Sequence, residues 1–592
     1  MTQTEATEIT PTPVCPQARR RQAFDVLDWA LLPFLMIVTP LIYLFRTKYN
    51  LPVAANVDER TSLGILLGFH NGSLNPHFFL YPTLYYYVAY FFLRFSSPAQ
   101  FLVWGRILNL SFVGLSAFIA YSFSRLYFLS RPAGILAATF IITSPTIVKS
   151  GSYICPDPLL AALTLATLLF LMRYFQNPTL RGWIVGMLIL GLAVGCKYTA
   201  FLLFIAYAGT EMICGLQRTD GQIGRGSEPR IPRNILTMAF AVLGGLFLTS
   251  AWVFPITALM RFTSTHHTNV DLKSSFDYLA FFHHVRMDLI YGGILSLVVA
   301  LLVIRSTYLY RLLSLRRLYL GLLIVLFMAV LTTPYSVLDP SKFVYDIGAQ
   351  ARGTFMLQAG HAQWNNYCAW LTGNESKVLL TLGLLGFATV ALRNHRRYLF
   401  VVVFTVIYVF TIGSARIGFP RYLTPLLPLI YLFAAGLLVQ AWTAHKLAGS
   451  PYLKFLAAML IVVAMAELWP KIESSRALSK QTDAFWTSYR LAMSMHSSKV
   501  LYAGFAPSVE LSAAGVQVSP ISWASLEGMP MGNQLDCGEL LIFDRREAET
   551  HLINPESDGS VITLLDDRTG DYGQEVMSRA NCQGSSPQRP IP

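Results

Sequence analysis

Residues 56–87 read NVDERTSLGILLGFHNGSLNPHFFLYPTLYYY and follow the first hydrophobic segment of the chain. Two adjacent acids, Asp58 and Glu59, stand near the start of this stretch, and Pro and Tyr residues are frequent in its second half. Carboxylates at the mouth of a membrane-embedded protein cost desolvation free energy, and they are generally retained there for function. We therefore interpret the stretch as a catalytic loop on which the rest of the chain is organised.

The composition indicates a polytopic membrane protein. Of the 592 residues, 54% are hydrophobic and only 13% are charged, which is about half the charged fraction of an ordinary soluble protein. The formal net charge is +13, but the Lys and Arg residues are dispersed between apolar runs, where topology and anionic lipid headgroups explain them. Because no basic face or recognition motif accompanies the charge, we expect no nucleic-acid partner.

The seven cysteines are scattered and lack the spacing of a metal site. We therefore expect no site formed by a metal and cysteines. Cys537 and Cys582 both lie in the polar C-terminal region, where they would pair in an oxidising compartment or remain as two thiols. The sequence leaves both alternatives open.

The N-terminal region predicts the orientation of the chain. Residues 1–28 are polar and contain the basic triplet Arg19–Arg21, and the apolar run Ala30–Phe45 follows without a small-residue cleavage site. This pattern indicates an uncleaved first span with the N-terminus in the cytoplasm, so that the acidic loop lies outside. The Tyr- and Phe-rich segment His77–Phe95 is predicted to be an interfacial or re-entrant element, and a short full span is the alternative.

Twelve further apolar runs complete a predicted set of thirteen transmembrane helices, because each is near the roughly 20 residues that a bilayer requires. Arg-rich connections recur between them on one side, as the positive-inside rule predicts. The predicted domains are a cytoplasmic tail (1–28), a membrane domain (29–470) and a small extracytoplasmic α/β domain (471–592) whose Ser- and Pro-rich end is expected to be disordered. The twelve runs are 104–124, 133–149, 157–172, 182–196, 199–215, 234–254, 288–304, 319–333, 377–392, 399–413, 421–441 and 453–470.

Two long connections that are predicted to lie outside, 255–287 and 334–376, are rich in polar and aromatic side chains. Binding sites are generally built from long loops on one side of a scaffold, so we expect the chemistry to be extracytoplasmic. His266 and His361 in these loops are candidates for contacts with an acceptor. A divalent metal held by His266 with His267 is an alternative that we do not favour, and we expect no cofactor.

Asp58 is the first candidate for catalysis. A carboxylate in a low-dielectric site has a raised pKa and can remove a proton from an attacking hydroxyl as a general base. The structural alternative, for either acid of the pair, is an interfacial carboxylate paired with Arg60 or Arg106. His77 and Tyr81, further along the same stretch, are candidates for contacts with the acceptor.

Asp157 and Lys197 are candidates at the ends of predicted spans. Asp157 lies between two prolines in SYICPDPLLAAL, where it either caps the helix that begins there or faces the same cavity as Asp58. Lys197 lies between two apolar runs in GLAVGCKYTAFLLF, where it either snorkels to the interface or meets a phosphate as a point charge. The residues leave both questions open.

Arg421 and Tyr422 stand near the start of the apolar segment FPRYLTPLLPLIYLF. An Arg at the outer end of a span opposes the positive-inside trend, and its guanidinium can hold two phosphate oxygens at once. The alternative is contact with a lipid headgroup. The position therefore predicts a specific anionic partner, with the headgroup as the simpler explanation.

Six features follow one another along residues 25 to about 470. They are the acidic pair Asp58–Glu59, the run Pro-Thr-Leu-Tyr-Tyr from Pro82, Pro-Asp at Asp157, the Gly-Leu-Ala turn to Lys197, TTPYSVLDP from Thr332 to Pro340, and the Arg-Tyr-Leu-x-Pro-Leu-Leu-Pro segment from Arg421 to Pro428. Together they resemble the integral-membrane glycosyltransferases of the protein O-mannosyltransferase and aminoarabinose transferase group (glycosyltransferase family 39-like). Three departures accompany the resemblance: Thr83 stands where the family has Pro, and Cys196 and Tyr198 flank the lysine where Thr and Gly are common.

The resemblance implies a mainly α-helical, polytopic C-type glycosyltransferase fold with about thirteen transmembrane helices, to which the C-terminal α/β domain is added. It also implies a polyprenyl-phosphate sugar as the donor. The site residues that it implies are Asp58 as base, Glu59 and Asp157 as positioning groups for acceptor or donor, and Lys197, Arg421 and Tyr422 at the lipid phosphate.

The residues and the resemblance together predict a glycosyltransferase that moves a hexosyl or pentosyl group to an acceptor hydroxyl, and the resemblance implies inversion. The donor sugar stays open, and so does the acceptor, which is a protein, a glycolipid or a polysaccharide. We expect the protein in the plasma (inner) membrane, in contact with membrane lipids. One alternative is a lipid-linked sugar flippase, for which internal repeats and charges near span centres are typical. The other is a structural subunit of an envelope assembly.

Overall fold

The computed structural model describes most of the membrane domain and parts of the C-terminal region. The predictions for Cys537, for Cys582 and for the Ser- and Pro-rich tail fall outside the described residues. The described residues are 24–49, 51, 53–54, 57–128, 130–219, 230–253, 278–351, 362–393, 395–415, 418–448, 451–478, 484–494, 499–503, 511–512, 514–521, 539–544, 561–562 and 574–578.

Ten helices make up the N-terminal part of the described chain, before the gap that begins at residue 220. Short 3-10 turns at Pro98–Gln100 and Tyr198–Phe201 precede the fifth and the tenth of them. The helices are α1 (Val26–Ile42), α2 (Leu44–Thr47), α3 (Val57–His70), α4 (Leu84–Leu93), α5 (Phe101–Tyr127), α6 (Arg131–Thr143), α7 (Pro145–Gly151), α8 (Asp157–Gln176), α9 (Leu180–Cys196) and α10 (Leu202–Thr219).

Twelve more helices follow in the described residues from 230 onward, with a 3-10 turn at Pro420–Leu423 before the tenth of them. They are α11 (Arg233–Val253), α12 (Tyr278–Arg305), α13 (Thr307–Leu313), α14 (Arg316–Thr332), α15 (Tyr335–Leu338), α16 (Pro340–Ala351), α17 (Trp364–Asn374), α18 (Lys377–Arg393), α19 (His395–Ser414), α20 (Leu427–Ala448), α21 (Pro451–Leu478) and α22 (Ala484–Ser494).

Five helices of the described chain are long and apolar enough to cross a membrane, or up to seven spans if each of two bent pairs counts as one. The chain is therefore an integral membrane protein with multiple apolar helices. Within the described residues the structure shows five to seven spans, and the predicted thirteen are not shown, because several predicted runs form shorter helices, such as α1, α9 and the helix at Leu427–Thr443. The five lie at Pro98–Leu126, Asp157–Gln176, Arg233–Ala251, Arg286–Arg305 and Tyr452–Glu473.

The two bends interrupt runs that hydropathy alone treats as continuous. The predicted span 133–149 is broken between α6 and α7, which meet at 62°. Ser144 at the break has an extended backbone, and its hydroxyl accepts a hydrogen bond from Ile147 N, so it caps α7. Pro145 occupies the first position of α7, where a missing N–H costs nothing. The second bend, between α17 and α18, is 120°.

The helix α4 is about 15 Å long, since it contains only ten residues. The hydrocarbon core of a bilayer is about 30 Å thick, so α4 cannot cross it alone. Residues 77–83 before it contain bends and no helix. The segment 77–95 is therefore an irregular loop followed by a short helix, and its interfacial or re-entrant placement stays a prediction.

The first helix is fixed at its N-terminus to the last turn of α5. Asp28 N donates to Asp25 Oδ1 (2.9 Å) and Asp25 N donates to Asp28 Oδ2 (3.1 Å), which forms a capping box. Asp28 also forms an ion pair with Arg125 of α5 at 3.2 Å. Along the same helix pair, a Cβ at Gly114 would lie 2.3 Å from Leu35 O, so only glycine allows this approach of α5 to α1.

A five-stranded sheet lies in the C-terminal region, in the order β2-β1-β3-β5-β4. The strands β1 (Lys499–Ala503), β2 (Gln517–Pro520) and β3 (Glu539–Asp544) are parallel, whereas β5 (Gln574–Ser578) is antiparallel to both β3 and β4 (Val561–Ile562). Together, the strands and the helix α22 match the predicted α/β character.

The helix α21 runs through Pro470 to Leu478, so the last long helix of the described residues ends later than the predicted boundary at residue 470.

Candidate active site

An ion pair between Asp58 and Arg421 lies at the centre of the candidate site. Asp58 is in the first turn of α3, where the helix dipole favours an acid. Arg421 is in the 3-10 turn Pro420–Leu423. Arg421 Nη2 lies 2.6 Å from Asp58 Oδ2, and the two side chains are 21% and 22% exposed. The pair is therefore partly accessible from outside the protein.

Asp157 and Lys197 form a second, more deeply buried pair beside the first. Lys197 Nζ donates to Asp157 Oδ1 at 2.7 Å, and the side chains are 9% and 2% exposed. Asp157 starts α8, while Lys197 has an extended backbone where α9 ends. Asp157 Oδ2 also lies 3.8 Å from Arg421 Nε, so the two pairs make one cluster.

Aromatic rings surround the cations of the cluster. Lys197 Nζ lies 4.4 Å from the ring centroid of Tyr422 and 5.4 Å from that of Tyr81, and the Arg421 guanidinium lies 4.1 Å from the centroid of Phe419. Such contacts attract cations without neutralising them. The Tyr81 hydroxyl donates a long hydrogen bond of 3.5 Å to Asp58 Oδ1. The rings thus hold both cations in place and leave their charge available.

The electrostatics of the cluster are balanced. Two carboxylates and two cations give a net charge of zero when all four groups are ionised. The pKa of Asp58 is raised, because burial disfavours its charged form more than Arg421 favours it. Arg421 Nε is buried and has no hydrogen-bond partner among the described residues. The site therefore contains a carboxylate suited to accept a proton and an N–H group ready to donate to an anion.

Glu59, next to Asp58 in sequence, lies in a different pair. Its carboxylate accepts hydrogen bonds from Arg106 Nε (2.8 Å) and Nη2 (2.7 Å), and neither side chain is exposed. Ile154 N donates to the same carboxylate at 3.0 Å, and Arg106 also donates to Thr47 O at 3.2 Å. Glu59 was predicted to position substrates. The structure instead buries it as an anchor between α3, α5 and the segment before Asp157.

A second anchor of that segment was not found from the sequence. Asn109 on α5 donates to Cys155 O at 2.9 Å and also to Tyr153 O, and it accepts from the Tyr85 hydroxyl at 3.0 Å. These bonds fix the residues that lead into Asp157. The sequence contained one signal for this role. Asn109 lies within an apolar run and faces the same side of the helix as Arg106, three residues earlier.

The loop that carries Tyr81 is tied to the end of α14 and to α16. Phe79 N donates to Asp346 Oδ2 at 2.7 Å, and the Thr83 hydroxyl donates to Thr332 O at 2.6 Å. His77 has a φ of 48°, which is uncommon for a residue other than glycine. Its side chain is 67% exposed and 3.9 Å from Asp339. His77 therefore lies on the outer surface of this loop and apart from the cluster.

Six of the ten predicted site residues thus come together. His266 and His361 lie outside the described residues, so the structure does not place them. Among the residues that are described, no group of three His, Cys, Asp or Glu side chains has the arrangement of a metal site. The six are Asp58, Tyr81, Asp157, Lys197, Arg421 and Tyr422.

Fifteen chains of solved structures match this chain, and three of them are the following distant likenesses. The apo oligosaccharyltransferase of Archaeoglobus fulgidus has a TM-score of 0.47 and 12% identity, over 87% of this chain and 69% of that one. ArnT from Cupriavidus metallidurans bound to undecaprenyl phosphate has a TM-score of 0.44 and 13% identity, over 93% and 97%. The apo state of the same ArnT has a TM-score of 0.42, with the same identity and coverage.

Comparison of sequences is more specific. No curated protein matches the chain. Residues 81–219 match the family described as dolichyl-phosphate-mannose-protein mannosyltransferase. The matched segment contains Tyr81, Asp157 and Lys197 of the cluster. Over residues 81–219 the chain is therefore similar to the dolichyl-phosphate-mannose-protein mannosyltransferase family.

Proposed function

We propose that the chain transfers one sugar from a polyprenyl-phosphate donor to an acceptor hydroxyl, with Asp58 as the general base and with inversion at the anomeric carbon. The observation that carries this proposal is the cluster itself. It joins a carboxylate of raised pKa to two cations that can hold a phosphate. A base and an anion clamp within one partly exposed site are the groups that such a transfer requires.

The reaction is a single displacement. The acceptor hydroxyl gives its proton to Asp58 while its oxygen forms a bond to the anomeric carbon. The bond from that carbon to the phosphate oxygen breaks, and its electron pair leaves on the polyprenyl phosphate. Lys197 and Arg421 stabilise the charge on the departing phosphate. Because this leaving group is already an anion of low basicity, no acid is needed to protonate it.

Asp157 has a supporting role in this scheme. It is the most buried of the four charged groups and contacts both cations. A buried carboxylate between two cations keeps them together in spite of their mutual repulsion. We assign Asp157 to positioning Lys197 and Arg421, and Tyr422 to holding Lys197 against its ring.

The orientation, the topology, the carrier and the acceptor in this proposal are those predicted from the sequence. We place the cluster on the extracytoplasmic side of the plasma membrane, with the N-terminus in the cytoplasm and the C-terminal sheet outside. The full topology would be the C-type fold with thirteen spans, with shorter helices such as α1 and α9 completing the crossings. The carrier would be a lipid phosphate such as the undecaprenyl phosphate bound by ArnT. The acceptor is a protein, glycolipid or polysaccharide hydroxyl, and we favour a reaction without metal.

The test is transfer of radiolabelled sugar from a pool of polyprenyl-phosphate sugars to acceptors in membranes that contain the chain. Asp58→Asn removes the base and nearly preserves shape, so we expect transfer to fall by about 10²- to 10⁴-fold. Asp339→Asn, with a side chain 26% exposed and outside the cluster, is the matched control and should transfer normally. Transfer by Asp58→Asn at the wild-type rate would contradict the assignment of the base. Transfer by purified protein in detergent would also exclude a flippase, since detergent provides no second side.

A further inference from the structure

Glu375 is a buried acid that the reaction described above does not use. It lies where α17 turns by 120° into α18, and none of its side chain is exposed. Its Oε1 accepts hydrogen bonds from the Ser144 hydroxyl (3.0 Å) and from Thr146 N (2.9 Å), and its Oε2 accepts from the Tyr431 hydroxyl. A buried carboxylate is costly unless it is satisfied in this way, so its position needs a reason.

The first consequence of these bonds concerns α7. Thr146 N is one of the N–H groups that a helix leaves without an intrahelical partner in its first turn. Glu375 satisfies it, and Glu375 also binds the hydroxyl of Ser144, which caps the same helix. Glu375, at the bend between α17 and α18, thus fixes the start of α7 at the bend between α6 and α7.

The second consequence runs from α7 to the cluster. Ser150, near the end of α7, shares a hydrogen bond of 3.2 Å with the Thr424 hydroxyl, and both residues are buried. Thr424 N donates to Arg421 O at 3.0 Å. Ser150 O in turn accepts from the Cys155 thiol at 3.3 Å, two residues before Asp157. The helix α7 therefore contacts the segments that carry two of the four charged groups.

We propose that Glu375 is a positioning residue of the phosphate-binding cluster, acting through α7 on Arg421. It touches no reacting atom. It fixes the N-terminus of α7, and the bond between Ser150 and Thr424 transmits that position to the turn Pro420–Leu423. This inference rests on the proposed function for its effect on the donor, but the mechanical link from Glu375 to Arg421 is independent of it.

The chain offers a matched control for Glu375→Gln. Glu467 on α21 accepts hydrogen bonds from the Ser376 hydroxyl (2.6 Å) and from Val378 N (3.2 Å), so it fixes the start of α18 as Glu375 fixes that of α7. Glu467→Gln removes an equivalent charge beside the same bend without a bond to α7. Both variants are expected to lower the unfolding temperature, so stability alone does not distinguish them.

Two measurements do distinguish them. We expect Glu375→Gln to weaken binding of polyprenyl phosphate about tenfold, because a small displacement of a binding group lowers the affinity considerably. Glu467→Gln should bind as the wild type does. The pH profile of residual transfer by Glu375→Gln should be unchanged, since Asp58 is not involved. Thr424→Val, which cuts the link to Ser150, should reproduce the loss, and Glu375→Gln should add little to it.

Hydrogen exchange at residues 420–424 provides a readout that needs no donor. Exchange should be faster in Glu375→Gln than in Glu467→Gln, because the turn loses its support. Equal exchange and equal lipid binding in the two variants would overturn the proposal. If the wild type neither binds polyprenyl phosphate nor transfers sugar, the proposed function fails. The exchange comparison then still decides whether Glu375 holds Arg421 in place.

Discussion

The ion pair between Asp58 and Arg421 leads to a prediction that separates binding from catalysis. Without substrate, Asp58 occupies the guanidinium that a phosphate would bind. A donor phosphate must therefore displace the carboxylate or bind beside it against electrostatic repulsion. We expect Asp58→Asn to lower transfer by about 10²- to 10⁴-fold and yet to bind polyprenyl phosphate more tightly than the wild-type protein.

The magnitude follows from the geometry. Two like charges about 4 Å apart repel by about 4 kcal/mol at an effective dielectric constant of about 20. Because the paired side chains are 21% and 22% exposed, solvent screening reduces this value, and we take about 2 kcal/mol. Since about 1.4 kcal/mol corresponds to a tenfold change in affinity, the variant should bind about 30-fold more tightly.

The assay is equilibrium binding of polyprenyl phosphate to the purified protein in detergent, without an acceptor. Asp339→Asn again serves as control, because it also removes a negative charge but lies outside the cluster, and its affinity should change less than twofold. Equal or weaker binding by Asp58→Asn would refute the reasoning. It would mean that the pair with Arg421 persists in the donor complex and that the phosphate binds elsewhere.

Three further predictions concern pH, stability and packing. Transfer should fall as the pH is lowered through the raised pKa of Asp58, that is at a pH above 3.8, since the protonated acid cannot act as base. The measurement is a pH–rate profile, and an identical acidic limb in the residual transfer of Asp58→Asn would contradict the assignment of this limb to Asp58. Glu59→Gln should lower the free energy of unfolding by about 3–5 kcal/mol, because Arg106 is left buried without its charged partner, and a denaturant series that shows no loss would disprove that role. Gly195 lies two residues before Lys197, and a Cβ at this position would lie 2.0 Å from Thr332 Oγ1. Gly195→Ala should therefore reduce both the unfolding temperature and lipid binding. Gly68→Ala in α3, whose Cβ meets no atom within 4 Å, is the control and should be neutral or stabilising; equal losses in the two alanine variants would show that the contact with Thr332 is unimportant.

The charged groups of the candidate site were predictable because each breaks a rule of membrane sequences. Asp157 and Lys197 interrupt apolar runs, and Arg421 stands near the start of an apolar segment that is predicted to begin on the side where cations are uncommon. Their burial against one another could not be read from the chain. The structure shows that the four groups neutralise each other, which explains how they are tolerated inside an apolar protein.

The separate roles of Asp58 and Glu59 could not be predicted. Successive residues of an α-helix point about 100° apart, so one acid of the pair faces Arg421 and the other faces Arg106. The sequence contains two acids of the same type and no information on which direction faces the site. Only the arrangement of α3 beside α5 decides the assignment.

The bends were partly predictable. Ser144 followed by Pro145 is a common start of a helix, so the break within 133–149 had a local signal that a hydropathy average conceals. Glu375 had none, because a single acid between two apolar runs is equally typical of an ordinary connection between spans. Its partners at positions 144, 146 and 431 are far away in sequence.

The two adjacent acids also differ in when their partners become available during synthesis. Arg106 follows Glu59 by 47 residues, so the inner pair can form while the first helices are being inserted. Arg421 is synthesised about 360 residues after Asp58, which takes about 20–70 s at the usual elongation rate of ~5–20 residues per second. For that time Asp58 sits in the membrane protein without its charged partner. The pair that contains the proposed base is thus among the last to assemble, and errors in the biogenesis of the late helices should yield protein that is inserted and folded around α5 but inactive.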